Sequence, residues 1–403
     1  MAPVLTEVAR AAGAEERHAF LAPSSAHRWS YCSGSAWMES QFPDLQDDEA
    51  RKLGTAAHWV FQFDLAGSPL AEGSVTPNGV AVDKTMLQAS AELVRDIEHK
   101  LRPYLGDAWR TALKVEKRVA IPLVHPTHNW GTPDVRAWVM TTTGWALFIW
   151  DFKYGFSVVE VFENKQLIDY AAGCLTEAKN TWPVFNDDAC AVILTVVQPR
   201  AYHADGPVRT WETSMPQLAP YFHELAMAAE EAAGPAPLCR PRPDVCHDCR
   251  ARSGCKALQD TMYMGMTMAQ TATPRVLSDE GLGLEAAMLT DAIELMKARL
   301  TGLEELVKAR IRAGARIPHW MYGSGRGKLA WKRPDAEVIA MGEMFGLALA
   351  KPPEAITPTQ AKALGLQEEL VAAYAENVAG ATKLMRDDGA NVRRIFSIAP
   401  LPK

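Results

Sequence analysis

Hydrophobic and polar positions along the chain fall into blocks whose period changes from element to element. In 135–140 β-branched and aromatic residues dominate, 141–144 is turn-like, and 145–150 is a short continuous apolar run. Two paired strands are expected there, because runs of this length and composition fit a pleated surface and turn residues bound their ends. The segment 114–121 alternates as a further strand. Segment 189–197 reads as a buried strand stopped by Gln198-Pro199-Arg200, with 208–213 as its partner. The period shifts to three and four in 83–105, where Leu87, Leu93, Val94 and Ile97 share one side, and helices are also expected in 166–179 and 215–233. Nearer the N-terminus, Pro23-Ser24-Ser25 predicts the cap of a short helix over 26–32, with a serine oxygen as acceptor. A further helix carries Arg51 to His58. Gly54 within it costs about 1 kcal/mol against alanine, which predicts close approach of that helix to the sheet.

Composition shifts after residue 268. Thr-Ala-Thr-Pro at 271–274 reads as a linker, and Ser278-Asp279-Glu280 predicts the start of a long helix over 279–313, with acids in the first turn as the dipole favours. Its apolar positions Leu289, Ile293, Met296, Leu300, Leu303 and Val307 recur at three and four as one stripe, expected to pack within the chain. Segment 317–333 reads as a hairpin with a glycine-rich bend in which basic and aromatic residues, Arg326, Lys328 and Trp331 among them, interleave. Proteins that track a nucleic-acid backbone and stack on bases use such interleaving, and an ordinary surface hairpin is the alternative. Residues 335–403 give short helices and a basic tail. The expected domains are therefore 1–268 and a mainly helical region, 278–403.

At 403 residues, 48% hydrophobic and 22% charged, the chain has an ordinary globular composition and is long enough for about two domains. It contains no uninterrupted apolar run of about 18 residues, so no membrane span is expected. The first residues lack a basic-then-apolar signal pattern, so the cytoplasm is the expected compartment. A formal charge of −6 counts against a broad basic surface, yet a local basic groove can coexist with an acid-lined site.

The candidate chemistry sits at the strand ends. Asp134 follows Gly131-Thr132-Pro133, and Asp151-Phe152-Lys153 closes the apolar run. Two hard carboxylates can hold Mg²⁺ or Mn²⁺, which retains waters and takes further ligands from a substrate phosphate. Such an ion polarises a phosphodiester and acidifies a bound water, while a neighbouring lysine orients that water or neutralises developing charge. The bland alternative is a strand-end acid and a surface Asp151–Lys153 pair. Gln166 and Tyr170 are four apart and share one helix face. Arg200, beside a strand end, is either solvated or within reach of a phosphate.

The seven cysteines are odd in number and clustered, which argues against a disulfide framework. Cys246, Cys249 and Cys255 have C-x2-C-x5-C spacing and can present three thiolates to one centre. Zinc would need a fourth ligand, with Cys239 or His247 as local candidates. An iron–sulfur cluster could draw its fourth thiolate from a distant position. Cys174 and Cys190, on a predicted helix and strand, read as core.

Asp134, Asp151-x-Lys153 and Gln166-x-x-x-Tyr170, in this order, resemble the PD-(D/E)XK nuclease superfamily, and more closely its RecB-like branch. The resemblance implies an α/β fold with a restriction-endonuclease-like core and flanking helices. It also implies a metal held by His58 (of a G-x-x-x-H helix), Asp134, Asp151 and the Phe152 carbonyl. Lys153, Gln166 and Tyr170 would assist the attacking water or position the substrate. Glu116 is similar in position to an acid ahead of the core in many relatives, but reads equally as a surface strand charge and is left out of the expected site. In the subset that includes the helicase-nuclease AddB and the CRISPR-associated exonucleases, one early cysteine joins a later C-x2-C-x5-C around a 4Fe-4S cluster. Cys32 stands at that early position, so the implied set is Cys32, Cys246, Cys249 and Cys255, clipping the N-terminal segment to the end of the core. The layout from residue 20 to about 335 is similar to a phage and prophage family of RecB-like nucleases. That likeness implies a DNA exonuclease acting beside a single-strand annealing recombinase, in the host cytoplasm. Two other readings stay open: a non-catalytic DNA-binding or assembly protein on the same fold, and a zinc-stabilised helical scaffold.

Overall fold

The computed structural model describes residues 19–43, 48–269, 278–321 and 335–344. Arg326, Lys328, Trp331 and most of the expected hairpin lie outside the described residues, as does the 271–274 linker. The chain divides into two units, Met1–Ala309 with Asp387–Lys403, and Arg310–Arg386. In the second, the described residues include the last residues of the helix Asp279–Arg312 and the helix Asp335–Met344. Everything else concerns the first.

The fold is mixed α/β. Its main sheet contains β1 (Leu113–Val115), β4 (Val135–Thr141), β5 (Gly144–Phe152), β6 (Ala191–Val197) and β7 (Val208–Ser214), in that spatial order. β4 and β5 form the expected antiparallel hairpin, with Val135 opposite Trp150. One step beyond that pair come Asp134 and Asp151, so the hairpin register itself brings the two acids together. β5 and β6 run parallel, which requires a crossover, and the helix Lys165–Thr181 supplies it. Asn164 caps this helix through its side chain, accepting from the Gln166 and Leu167 N–H groups. β7 returns antiparallel to β6 and leads directly into the helix Met215–Ala233.

The central strands are covered on both sides, and their alternation decides which side each residue serves. Leu147, Ile149, Val192, Leu194 and Val196 pack toward the helices Lys165–Thr181 and Met215–Ala233. Phe148, Trp150, Phe152 and Ile193 face the opposite layer, made by the helices Asp48–Leu65 and Lys84–Leu105. Asp83 caps the latter, accepting from the Met86 N–H at 2.7 Å. No helix among the described residues is long and apolar enough to cross a membrane.

Four local expectations are corrected. The alternating segment 114–121 is not one strand: it breaks at Glu116, whose φ of 46° is left-handed, and resumes as β2 (Val119–Ala120). β2 pairs with β3 (Trp130–Gly131) in a separate two-stranded sheet. Ser25 does not cap the short helix Ala26–Trp29; its hydroxyl donates back to the Ala22 carbonyl, and a second helix, Gly34–Ser40, follows. A Cβ on Gly54 would meet nothing within 4 Å, so that glycine does not mark close helix–sheet packing. Finally, the long helix Asp279–Arg312 buries Leu295, Ala298 and Gly302, while Leu289, Ile293, Leu300 and Leu303 of the expected stripe stay exposed. Small residues face inward because the Arg252–Ser253 backbone approaches closely: a Cβ on Gly302 would lie 2.5 Å from the Arg252 Cγ.

Candidate metal centre and cysteine pocket

Three separate pieces of chain meet beyond the end of the β4–β5 hairpin. The helix Asp48–Leu65 presents His58, the break after β1 presents Glu116, and the entry to β4 presents Asp134. One ligand atom from each lies within 4.8 Å of the other two, the one such trio of histidine, cysteine or acid groups among the described residues. His58 Nδ1 is 3.0 Å from Glu116 Oε1 and 3.6 Å from Asp134 Oδ1. The second Asp134 oxygen accepts from the Phe152 N–H at 2.6 Å, and the Glu116 N–H donates to the Asp134 carbonyl. Gln62 donates to Glu116 Oε1 at 3.2 Å. A left-handed non-glycine residue costs on the order of 1–3 kcal/mol, and here that conformation accompanies the turn that brings the acid after β1 to His58. One imidazole nitrogen and two carboxylate oxygens suit a divalent cation such as Mg²⁺ or Mn²⁺.

Asp151 lies outside the trio. Its Oδ1 accepts from Gln166 Nε2 at 3.0 Å, and its Oδ2 is 3.0 Å from Lys153 Nζ. Lys153 Nζ in turn donates to Gln166 Oε1 at 3.1 Å, so one glutamine holds both the acid and the amine. Tyr170 hydroxyl lies 3.5 Å from Gln166 Nε2 and donates to the Thr132 carbonyl. Gly131 is needed beside it, since a Cβ there would come within 2.7 Å of both the Tyr170 and Pro23 rings. The structure thus groups Asp151, Lys153, Gln166 and Tyr170 on the side of the helix Lys165–Thr181, and His58, Glu116 and Asp134 on the other. The Phe152 N–H serves the second group by donating to Asp134.

Electrostatics couples the two groups. Burial drives the Asp134 carboxyl up to about 7, helped by Asp151 and Glu116 and opposed by His58. For His58 burial acts to lower the pKa, but Asp134 and Glu116 outweigh it and raise the imidazole to about 9. Lys153 follows the same logic: burial disfavours its charge, yet Asp151 and Asp134 leave its pKa above the ordinary lysine value. A cation held by these groups would have to displace their protons.

Arg200 is half-buried next to the end of β6. It donates to the Tyr154 carbonyl at 3.3 Å and stacks over the Tyr154 and Phe156 rings.

The second cluster is built from sulfur. Cys32, Cys239, Cys246, Cys249 and Cys255 line one small apolar cavity. Cys239 lies between Cys32 and Cys255, and its hydrogen bonds lower them to about 7 and about 6 while its own pKa rises. Burial raises Cys246 and Cys249 to about 11 and about 12. Cys174 and Cys190 are buried in the main core. Backbone contacts dock the N-terminal segment here as well: the Gly34 N–H donates to the Leu238 carbonyl and the Arg240 N–H to Cys32 Sγ. Glu39 accepts from the Arg250 N–H and pairs with Arg28. Soft thiols converging on an apolar cavity fit a thiolate-bound metal. Tetrahedral zinc with bonds of about 2.3 Å would hold its sulfurs roughly 3.8 Å apart. Among the described residues no three of these thiols lie within 4.8 Å of one another.

Glu116 is the site residue missed by sequence reasoning. Its signal was Lys117, which stands in the apolar phase between Val115 and Val119 and marks a place where one continuous strand would have buried a charge. The pattern of residues 18–383 matches the family described as "Protein of unknown function (DUF2800)", and the chain belongs to that family.

Proposed function

We propose that this protein is a metal-dependent deoxyribonuclease of the PD-(D/E)XK superfamily, RecB-like branch, acting as an exonuclease on DNA ends. The observation that carries the reading is the convergence of His58, Glu116 and Asp134 beside the Asp151–Lys153–Gln166 network at the end of one strand pair. The order of strands supports it: hairpin, crossover helix, parallel strand. His58, Glu116 and Asp134 would hold Mg²⁺ or Mn²⁺, and the resemblance adds Asp151 and the Phe152 carbonyl to that set. Such an ion, when bound, polarises the phosphodiester and lowers the pKa of a coordinated water.

The chain's own residues account for the remaining chemistry. Lys153 is a cation held by Asp151 and Gln166, so it serves as a fixed positive charge toward the attacked phosphate and the incoming water, rather than as a base. Gln166 fixes the amine and the carboxylate relative to each other, and Tyr170 buttresses Gln166 from the next turn of the helix. Cys32, Cys246, Cys249 and Cys255 would hold a 4Fe-4S cluster that fastens the N-terminal segment to the core. A single-strand annealing recombinase would be the partner that receives the resected strand.

The test is digestion of end-labelled linear DNA, single- and double-stranded, by anaerobically purified protein with Mn²⁺ or Mg²⁺. The reading predicts progressive shortening from an end by the parent and none by folded Asp134→Ala. Equal digestion by both, or none by either, would overturn it.

A further inference from the structure

The loop that follows Lys153 carries an aromatic ledge that no step above uses. Phe156 is 68% exposed, and the Arg200 guanidinium carbon lies 4.1 Å from its ring centre and 4.4 Å from that of Tyr154. An exposed phenylalanine on a slack loop would say little, but this loop is pinned from beneath. The buried Gln198 side chain donates to the Gly155 and Ser157 carbonyls at 3.2 and 2.7 Å and accepts from the Val159 N–H at 3.0 Å. Buried Arg209 donates to the Val159 carbonyl and to Gln198 Oε1. Two buried polar side chains are thus committed to holding Phe156 out.

A chain of ring contacts, buried at Phe152 and Tyr154, links the ledge to the metal centre. His58 packs on Phe152 with ring centres 5.6 Å apart, Phe152 stacks on Tyr154 at 6.3 Å, and Tyr154 meets Arg200, which meets Phe156. Arg200 has no carboxylate within ion-pairing distance among the described residues, and its hydrogen bonds to Tyr154 leave further guanidinium N–H donors for a ligand. Both residues leave the carboxyl ends of adjacent parallel strands, where ligands of α/β sheets bind.

We infer that Phe156, braced by Arg200, is a stacking platform for one unpaired base of a DNA strand whose backbone enters the carboxylate centre. This rests on the nuclease reading and deepens it. A base stacks on the open face of Phe156 while the remaining Arg200 donors meet the neighbouring phosphate. Any base has a suitable face, so the platform grips a strand without reading its sequence. It also requires the strand to be unpaired at that position.

The experiment measures binding of a fluorescent single-stranded oligodeoxynucleotide with Ca²⁺ in place of Mg²⁺, using parent, Phe156→Ala, Phe156→Leu and Phe156→Trp proteins. Oligonucleotides carry one abasic position moved along the strand. Phe156→Ala and Phe156→Leu are expected to weaken binding roughly tenfold, as loss of one stacked base does, while Phe156→Trp retains it. One abasic position should weaken parent binding by the same factor and add nothing further to Phe156→Ala, the non-additivity expected of partners in contact. Parent-like binding by Phe156→Ala, or full additivity at every position, overturns the platform and leaves the nuclease reading standing if the parent still digests DNA with Mn²⁺. A parent that neither binds nor cuts DNA overturns both.

Discussion

The carboxylate centre and the cysteine pocket gather their groups in different ways. At the first, the sheet register and adjoining helices hold each group: a backbone N–H fixes Asp134, and Gln166 fixes both Asp151 and Lys153. At the second, Cys246 ends a four-residue helix, Cys249 precedes a 3₁₀ turn and Cys255 precedes a helix, so no extended ladder sets the sulfur positions. The difference teaches what each site needs. On the proposed reading, a centre organised by the sheet would keep its shape without a cation and need the cation for its chemistry. A pocket gathered from short turns would, on the same reading, gain its cohesion from what the thiolates bind.

The strongest way to break that contrast is at the first site. Lys153→Ala should lower DNA hydrolysis by roughly 10²–10³-fold, the usual cost of one preorganised charge stabiliser, in single-turnover assays. Chelating divalent ions should abolish hydrolysis while barely moving the melting temperature; a large destabilisation would contradict the preformed centre. Glu116→Gln sharpens the account further, because the sequence alone left that acid undecided between the site and a surface strand charge. Mn²⁺ affinity measured by calorimetry should fall by about 10–100-fold or more, as for losses near a metal site. An unchanged affinity would remove Glu116 from the centre.

Protonation supplies a graded test. His58 at about 9 and Asp134 at about 7 must both lose their protons for a cation to bind, so Mn²⁺ affinity should climb from pH 6 to pH 9 and then level. Calorimetry in buffers of different ionisation enthalpy should report proton release on binding, and a flat profile would contradict the coupling. At the second site, Cys246→Ser should lower iron content and the melting temperature by several degrees, while Mn²⁺ binding at the carboxylates is preserved.

A further effect concerns neither site. Asp169 is fully buried, and burial raises its pKa to about 8, with Asn129 donating to both of its oxygens. Its folded pKa lies above the unfolded value, so its contribution to stability is complete below about pH 4 and is lost as pH rises through 8. Asp169→Asn should remove that slope, so its advantage over the parent in thermal melts widens between pH 4 and pH 8.

How much of this was legible in the chain depended on whether the deciding force was local. The hairpin, the crossover helix and the helix Met215–Ala233 follow from periodicity and capping, because apolar alternation and an Asn or Ser acceptor act over a few residues. Asp134 and Asp151 were readable for the same reason, since a hairpin register fixes them together. Glu116 was not, because its left-handed turn is stabilised by His58, Gln62 and the Asp134 carbonyl, all distant in sequence. Nor was the packed face of the long helix, where the approach of Arg252 selected Ala298 and Gly302 over the larger apolar stripe. Cys239 was visible only as a local option for zinc, and its place between Cys32 and Cys255 depends on chain brought from both ends of the core.

Crystals of the protein soaked in Mn²⁺ and measured at the manganese absorption edge test the central claim most directly. The account predicts one strong anomalous peak bounded by His58, Glu116 and Asp134, lost in His58→Ala crystals that keep the same fold. A peak absent from that position, or one unaffected by removing the imidazole, would contradict it.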